Sequence, residues 1–241
     1  MSAAAEALRA LHQPGKPLVL PNAWDPVSAH AVVAAGFPVV ATSSAAVGAV
    51  LGRGDHEAMS PDEHLEAVQR ITASVDVPVT VDFESGYGLP PAEVAHRLLA
   101  AGACGCNLED TDHRGGGVLV DPAEQARRLG AVRDAAGAGL VINARIDTYL
   151  TQTGGLAETI DRATRYLDAG ADCVYPIGMA DEADIAALVE AVGGAAVNVL
   201  RWPGVPTNDR LAGLGVARIS YGSGLFRQAT KALDRILADL T

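Results

Sequence analysis

Long apolar runs are missing from this sequence. Hydrophobic residues make up 49% of it, yet Gly, Pro or a charged residue breaks every run well before the ~18 residues of a membrane span. A soluble protein with no membrane partner is expected. Positive charge is also scarce: 18 Lys and Arg stand against 29 Asp and Glu, for a formal net charge of -11. That balance excludes a surface that neutralises nucleic-acid phosphates with clustered cations. It leaves room for a small anionic substrate if a few cations concentrate in a pocket.

Cysteine is limited to three residues, an odd number that gives no disulfide framework and fits a reducing cytoplasm. Cys104 and Cys106 form a C-x-C inside an expected strand, where alternation directs both to one side. No second Cys or His pair at metal spacing accompanies them, so they read as small buried thiols. The opening MSAAAEALRALHQPGK lacks a basic start and a long apolar stretch, and reads as an amphipathic helix rather than a secretory signal. No linker, low-complexity tract or shift of composition divides the chain, so residues 1–241 are expected to form one domain.

What is present is a repeat of short β-branched runs and longer helical-period segments, the pattern of parallel strands with crossover helices. Eight strands are expected: Leu18 to Pro21, Val39 to Ser43, Val79 to Asp82, Gly105 to Glu109, Leu140 to Ala144, Asp172 to Pro176, Ala196 to Leu200 and Ala217 to Tyr221. S-P-D-E at Ser60 to Glu63 and D-P-A-E at Asp121 to Glu124 each supply a cap, a first-position Pro and an acid at the third helical position. Gly36, Gly102, Gly170 and Gly215 precede strands where left-handed helix ends are expected. The fold class is α/β, a (β/α)8 TIM barrel; the chain length suits one such barrel. An open doubly wound sheet is the structural rival, but no G-x-G-x-x-G follows the first strand.

Strand C-termini converge on one mouth of a barrel, and here they are acidic. Strand 3 runs into Asp82-Phe83-Glu84-Ser85-Gly86-Tyr87-Gly88, strand 4 ends in Glu109-Asp110 and strand 5 in Asn143-Ala144-Arg145-Ile146-Asp147. Asp82 and Glu84 are two apart, so alternation directs both to one side. With Glu109 they form a cluster whose charge a hard divalent cation with oxygen ligands would compensate; the alternative is that these acids cap helices or pair with nearby Arg. Arg145 offers a planar fork for a carboxylate or phosphate, or else serves Asp147 or Glu109. Ser43-Ser44-Ala45 would expose amides and hydroxyls to a developing enolate oxygen.

With those residues placed, the chain resembles the isocitrate lyase/phosphoenolpyruvate mutase superfamily from Pro21 to about Phe226. P-N-A-W-D at Pro21 to Asp25, A-G-F before strand 2, T-S-S at Thr42 to Ser44 and G-R-G-D-H-E at Gly52 to Glu57 resemble its opening. D-F-E-S-G-Y-G matches the family's D-x-D-x-G-Y-G with Glu for the second Asp, and L-E-D and N-A-R-I-D follow in order. The resemblance implies Mg2+, or Mn2+ in its place, on Asp82, Glu84 and Glu109, directly or through water. It implies that Arg145 and Ser43-Ser44-Ala45 hold the substrate, with Asp55 over the reacting bond as its catalytic partner to Arg145. It implies a homotetramer, often with an exchanged C-terminal helix, here the apolar-striped segment from Gly224 to Leu240.

The chain also departs from the family. The K-K/R-C-G-H segment of isocitrate and methylisocitrate lyases is replaced by Thr111-Asp112-His113-Arg114-Gly115-Gly116-Gly117, which has no cysteine. The longer gating loop of the phosphonate enzymes is absent too. The expected activity is therefore that of a Mg2+-dependent lyase cleaving a C-C bond next to a 2-oxo or 2-hydroxy carboxylate through an enolate. Asp55, His56 or His113 would move the proton. The alternatives are a 2-oxo acid decarboxylase or hydrolase, a phosphonomutase of the same family, a class II aldolase, or a barrel that binds a carboxylate without turning it over.

Overall fold

The computed structural model describes residues 3–240. Its sheet contains, in chain order, β1 (Leu18–Leu20), β2 (Asn22–Ala23), β3 (Val40–Thr42), β4 (Val79–Asp82) and β5 (Gly105–Glu109). A two-stranded hairpin, β6 (Thr111–Asp112) with β7 (Val118–Leu119), follows. The sheet then resumes with β8 (Val141–Ile146), β9 (Cys173–Pro176), β10 (Ala196–Leu200) and β11 (Arg218–Ser220). All its ladders are parallel, in the order β1-β11-β10-β9-β8-β5-β4-β3-β2.

The two ends of that order are halves of one strand. Pro21 has no N–H to give a ladder, so Leu18–Leu20 pairs with β11 on one side and Asn22–Ala23 with β3 on the other. The nine pieces thus make an eight-stranded barrel closed through the first strand. The expected strands all occur, three of them with the expected limits. The fifth starts later and extends to Ile146, which brings Arg145 into register with Glu109 and Tyr175.

Local sequence explains the helices around the barrel. Ser60 and Glu63 form a reciprocal capping box before the helix Pro61–Thr72, which buries Leu65, Val68 and Ile71 against the sheet. Asp121 accepts from the Ala123 and Glu124 amides at the start of Pro122–Ala136. Gly102 ends its helix at φ 83°, and an added Cβ there would press on Thr72 Oγ1 at 2.9 Å.

The short helix Ala3–Ala10 sends Ala5 and Leu8 against Leu18, Leu20, Val39, Ala41 and Val141, closing the end of the barrel where the strands begin. Cys104 belongs to that cluster, whereas Cys106 packs in the large core between barrel and helices. The expectation that both thiols share one side is thus wrong, because the strand begins only at Gly105 and alternation does not extend back to Cys104. The final helix, Gly224–Ala238, buries no residue; Leu233, Ile236 and Leu237 are more than half exposed.

Candidate active site

At the strand C-termini lies a cavity of about 410 Å3 lined by Ser43, Ser44, Ala45, Asp55, Asp82, Glu84, Glu109 and Arg145, and by His56 of the two candidate histidines but not by His113. Asp82 is the last residue of β4. Its Oδ2 accepts from the Ser44 amide at 3.1 Å and the Ser44 hydroxyl at 2.8 Å, and its Oδ1 from Asn107 Nδ2 at 3.2 Å. Ser44, the first residue of the helix Ser44–Val50, thus serves Asp82.

The orientation of Asn107 is fixed from behind, because its Oδ1 accepts from Asn143 Nδ2 at 2.8 Å and Arg218 Nη2 at 3.2 Å. Arg218 is buried inside the barrel, and among the described residues no carboxylate makes an ion pair with it. Burial holds its guanidinium below the usual arginine range.

Glu84 reaches the cavity by a different route from the one alternation implied. The strand stops at Asp82, and Glu84 sits on a turn at φ 49°, with Gly86, Tyr87 and Gly88 also at positive φ. Non-glycine residues are strained in that region, and here the carboxylate is tied down. Tyr87 Oη donates to Glu84 Oε1 at 2.6 Å, and the Glu57 amide donates to Oε2. Glu57 in turn accepts from Ser85 Oγ and the Tyr87 amide, which pins the segment carrying Asp55 and His56 to this turn. Asp55 itself stands exposed at the lip, accepting from the His56 amide at 3.0 Å.

Arg145 is the centre of a buried ion network. Nε and Nη2 grip Asp147 at 2.7 and 3.0 Å, and Nη1 contacts Glu109, whose other oxygen meets His113. The fork offered to a substrate in the sequence reading is therefore occupied by Asp147, the alternative that reading left open. Asp110, next in the chain, is wholly buried against Arg162 and Tyr166 at 3.0 and 2.8 Å and accepts from the Asp147 amide. It braces the network from outside the barrel.

Among the described residues no group of three or more Asp, Glu, His or Cys is placed to hold a metal. The three acids line one cavity as separately partnered carboxylates. Their chemistry still suits a hard cation. Burial, with the charges of Asp82 and Glu109 adding to it and the hydrogen bonds from Tyr87 and the Glu57 amide opposing it, holds Glu84 up at about 7. Burial raises Glu109 as well, against the pull of Arg145 and His113. Negative charge is thus under-compensated on a set of oxygen donors, and Mg2+ takes one or two direct carboxylates while keeping several waters.

The opposite wall is basic. Arg201, Arg227 and Lys231 line the cavity and have no ion pair among the described residues. Nothing local in the sequence marks these three cations or Asn107, whose roles come from neighbours across the fold; Tyr87 and Glu57 stand inside the D-F-E-S-G-Y-G and G-R-G-D-H-E motifs, which do not reveal their hold on Glu84 and its turn.

A closed eight-stranded barrel whose C-terminal mouth joins buried carboxylates to free cations is an enzyme architecture for small anionic substrates. Residues 8–241 match the profile of the phosphoenolpyruvate phosphomutase family. The chain belongs to that family, within the phosphoenolpyruvate mutase/isocitrate lyase superfamily, and is an enzyme of the lyase and mutase chemistry its members share. A candidate phosphonomutase from Burkholderia cenocepacia J2315 superposes with a TM-score of 0.91 at 40% identity, covering 98% of this chain and 99% of that one. An uncharacterised protein from Mycobacterium tuberculosis is 37% identical over 88% of this chain and 80% of its own length. The structure of 2,3-dimethylmalate lyase superposes with a TM-score of 0.88 at 25% identity, covering 100% and 88%.

Proposed function

We propose that this enzyme is a Mg2+-dependent lyase, carried by one barrel domain over residues 1–241, that cleaves a C-C bond next to a 2-oxo or 2-hydroxy carboxylate through an enolate. The observation that carries this reading is the polarity of the cavity, with Asp82, Glu84 and Glu109 on one wall and, on the other, Arg201, Arg227 and Lys231, which have no ion pair among the described residues. An anion with a second charged end spans such a cavity. The name of the lyase relative, 2,3-dimethylmalate lyase, describes a substrate of that kind.

Asp82, Glu84 and Glu109 would hold Mg2+, or Mn2+ in its place, directly or through water. Such a cation supplies Lewis-acid polarisation of the substrate's carboxylate and adjacent oxygen. Arg145, its charge secured by Asp147 and Glu109, stabilises negative charge developing beside it. Ser43, Ser44 and Ala45 form the adjoining wall; Ser43 and Ala45 would hold the substrate there, with Ser44 committed to Asp82 unless the cation releases it. Asp55, exposed at the lip of the cavity, would exchange the proton. His56 and His113, whose rings lie 5.0 Å apart, stand next to it.

The same proposal includes a homotetramer with an exchanged C-terminal helix. Its support is the exposed stripe of Leu233, Ile236 and Leu237, and an apolar groove lined by Trp24, Val27, Val32, Phe37 and, at the start of the same helix, Leu225. A cytoplasmic location fits three free, buried thiols, and no helix among the described residues is long and apolar enough to cross a membrane. A screen of 2-oxo acids, 2-hydroxy diacids and phosphonates with Mg2+ tests the activity. Cation-dependent release of a 2-oxo acid from a diacid is expected, whereas turnover confined to phosphonates would reject C-C cleavage.

A further inference from the structure

Among the described residues no cationic side chain forms an ion pair with Glu84; a hydrogen-bonded chain leads from it into the core. Tyr87 Oη lies 2.6 Å from Glu84 Oε1, and His64 Nδ1 lies 2.8 Å from Tyr87 Oη. All three side chains are buried, His64 completely. The rings cannot drift, because Phe83 packs against both, with centroids 5.5 Å from His64 and 5.0 Å from Tyr87.

The direction of each proton follows from the ends of the chain. The Glu57 N–H can only donate, so Glu84 Oε2 is an acceptor, and in the ionised form that a bound cation requires, the carboxylate also takes the Tyr87 proton on Oε1. With its proton committed, the Tyr87 oxygen accepts, and His64 Nδ1 must carry the hydrogen. That leaves His64 Nε2 bare, and this buried atom has no partner. A bare lone pair is the cheaper orphan; the reverse direction would strand an N–H there. Burial also holds His64 down to about 4, so the ring carries a single proton.

We propose that His64 and Tyr87 are positioning residues for the cation platform: a one-way chain from His64 Nδ1–H through Tyr87 Oη–H to Glu84 Oε1 that holds the Glu84 carboxylate at the cavity. The idea rests on the reading that this site takes a divalent cation. It also accounts for the glutamate in the D-F-E-S-G-Y-G motif. A side chain one methylene longer than aspartate, on a turn at positive φ, needs an external hold to keep one orientation, and the motif's own tyrosine supplies it with His64 behind.

Two measurements on the full chain test this. Long-range 1H–15N spectra of 15N-histidine-labelled protein, assigned by loss of the His64 signal in His64→Gln, should show the Nδ1–H tautomer. An Nε2–H tautomer overturns the direction of the chain. Mn2+ titration followed by electron paramagnetic resonance should then show affinity about 10-fold weaker in Tyr87→Phe, the lower end of what carboxylate-supporting partners contribute at metal sites. His64→Leu should weaken it similarly, and His64→Gln, which keeps an N–H for Tyr87, should recover most of it. A purely structural role would lower the melting temperature of these variants and leave Mn2+ affinity unchanged, and that result overturns the proposal. If the wild-type protein takes no Mn2+, the cation reading fails and the positioning role with it, while the tautomer still decides the direction of the chain.

Discussion

Replacing Glu84 by Gln should make the cation-free protein more stable at pH 8 and no more stable at pH 5. Glu84 is pushed from 4.5 to about 7, chiefly by burial. Between those values the native state binds the proton more readily than the unfolded chain. The stability this carboxyl contributes is therefore complete below about 4.5 and is lost as pH rises through about 7. The rise corresponds to about 3 kcal/mol at about 1.4 kcal/mol per pH unit. Gln removes the buried charge but turns an amide N–H toward either the Glu57 amide or Tyr87, a mismatch of about 1–2 kcal/mol. The net expectation is a gain of about 1–2 kcal/mol at pH 8 and a loss of about 1 kcal/mol at pH 5. Urea unfolding in EDTA at the two pH values measures both. Millimolar Mg2+ should reverse the order at pH 8, since only the wild type keeps the full donor set. Equal destabilisation at both pH values would refute the claim that Glu84 is a strained, under-compensated charge.

Arg162→Met leaves Asp110 buried without its cation and should destabilise the fold by about 3–5 kcal/mol in chemical denaturation; a loss below about 1 kcal/mol would show that Tyr166 alone suffices. Neither isocitrate nor methylisocitrate should be cleaved at a useful rate, because all three cysteines are buried away from the cavity; robust Mg2+-dependent release of glyoxylate or pyruvate would mean that another side chain takes the lyase cysteine's part. Light scattering at micromolar concentration should find an oligomer. Leu233→Ser with Ile236→Ser and Leu237→Ser should dissociate it, and a wild-type monomer would reject association altogether.

Elements governed by local chemistry were legible in the sequence. The Ser60 and Asp121 caps and the strand Gly105–Glu109 depend on spacing within a few residues, and the closure follows from counting eight such units along the chain. The acids of the mouth were legible too, since strand ends converge in any barrel. What the acids touch was not. Asn107, Asn143 and Arg218 meet only because three strands far apart in sequence face one interior. Arg145 stood open between a substrate anion and its two partners, because Asp147 two residues on and Glu109 on the neighbouring strand compete with any substrate in a way that spacing does not rank. Glu84 escaped the alternation rule because its strand ends two residues earlier, at Asp82.

The most direct test of the proposed chemistry is a calorimetric titration with oxalate, a small planar dianion resembling an enolate of a 2-oxo acid, in the presence and absence of Mn2+. The acidic wall and the basic wall together predict one oxalate per chain, bound only with the cation and lost in Asp82→Ala. Oxalate binding of equal strength without Mn2+, or binding that survives Asp82→Ala unchanged, would contradict the account.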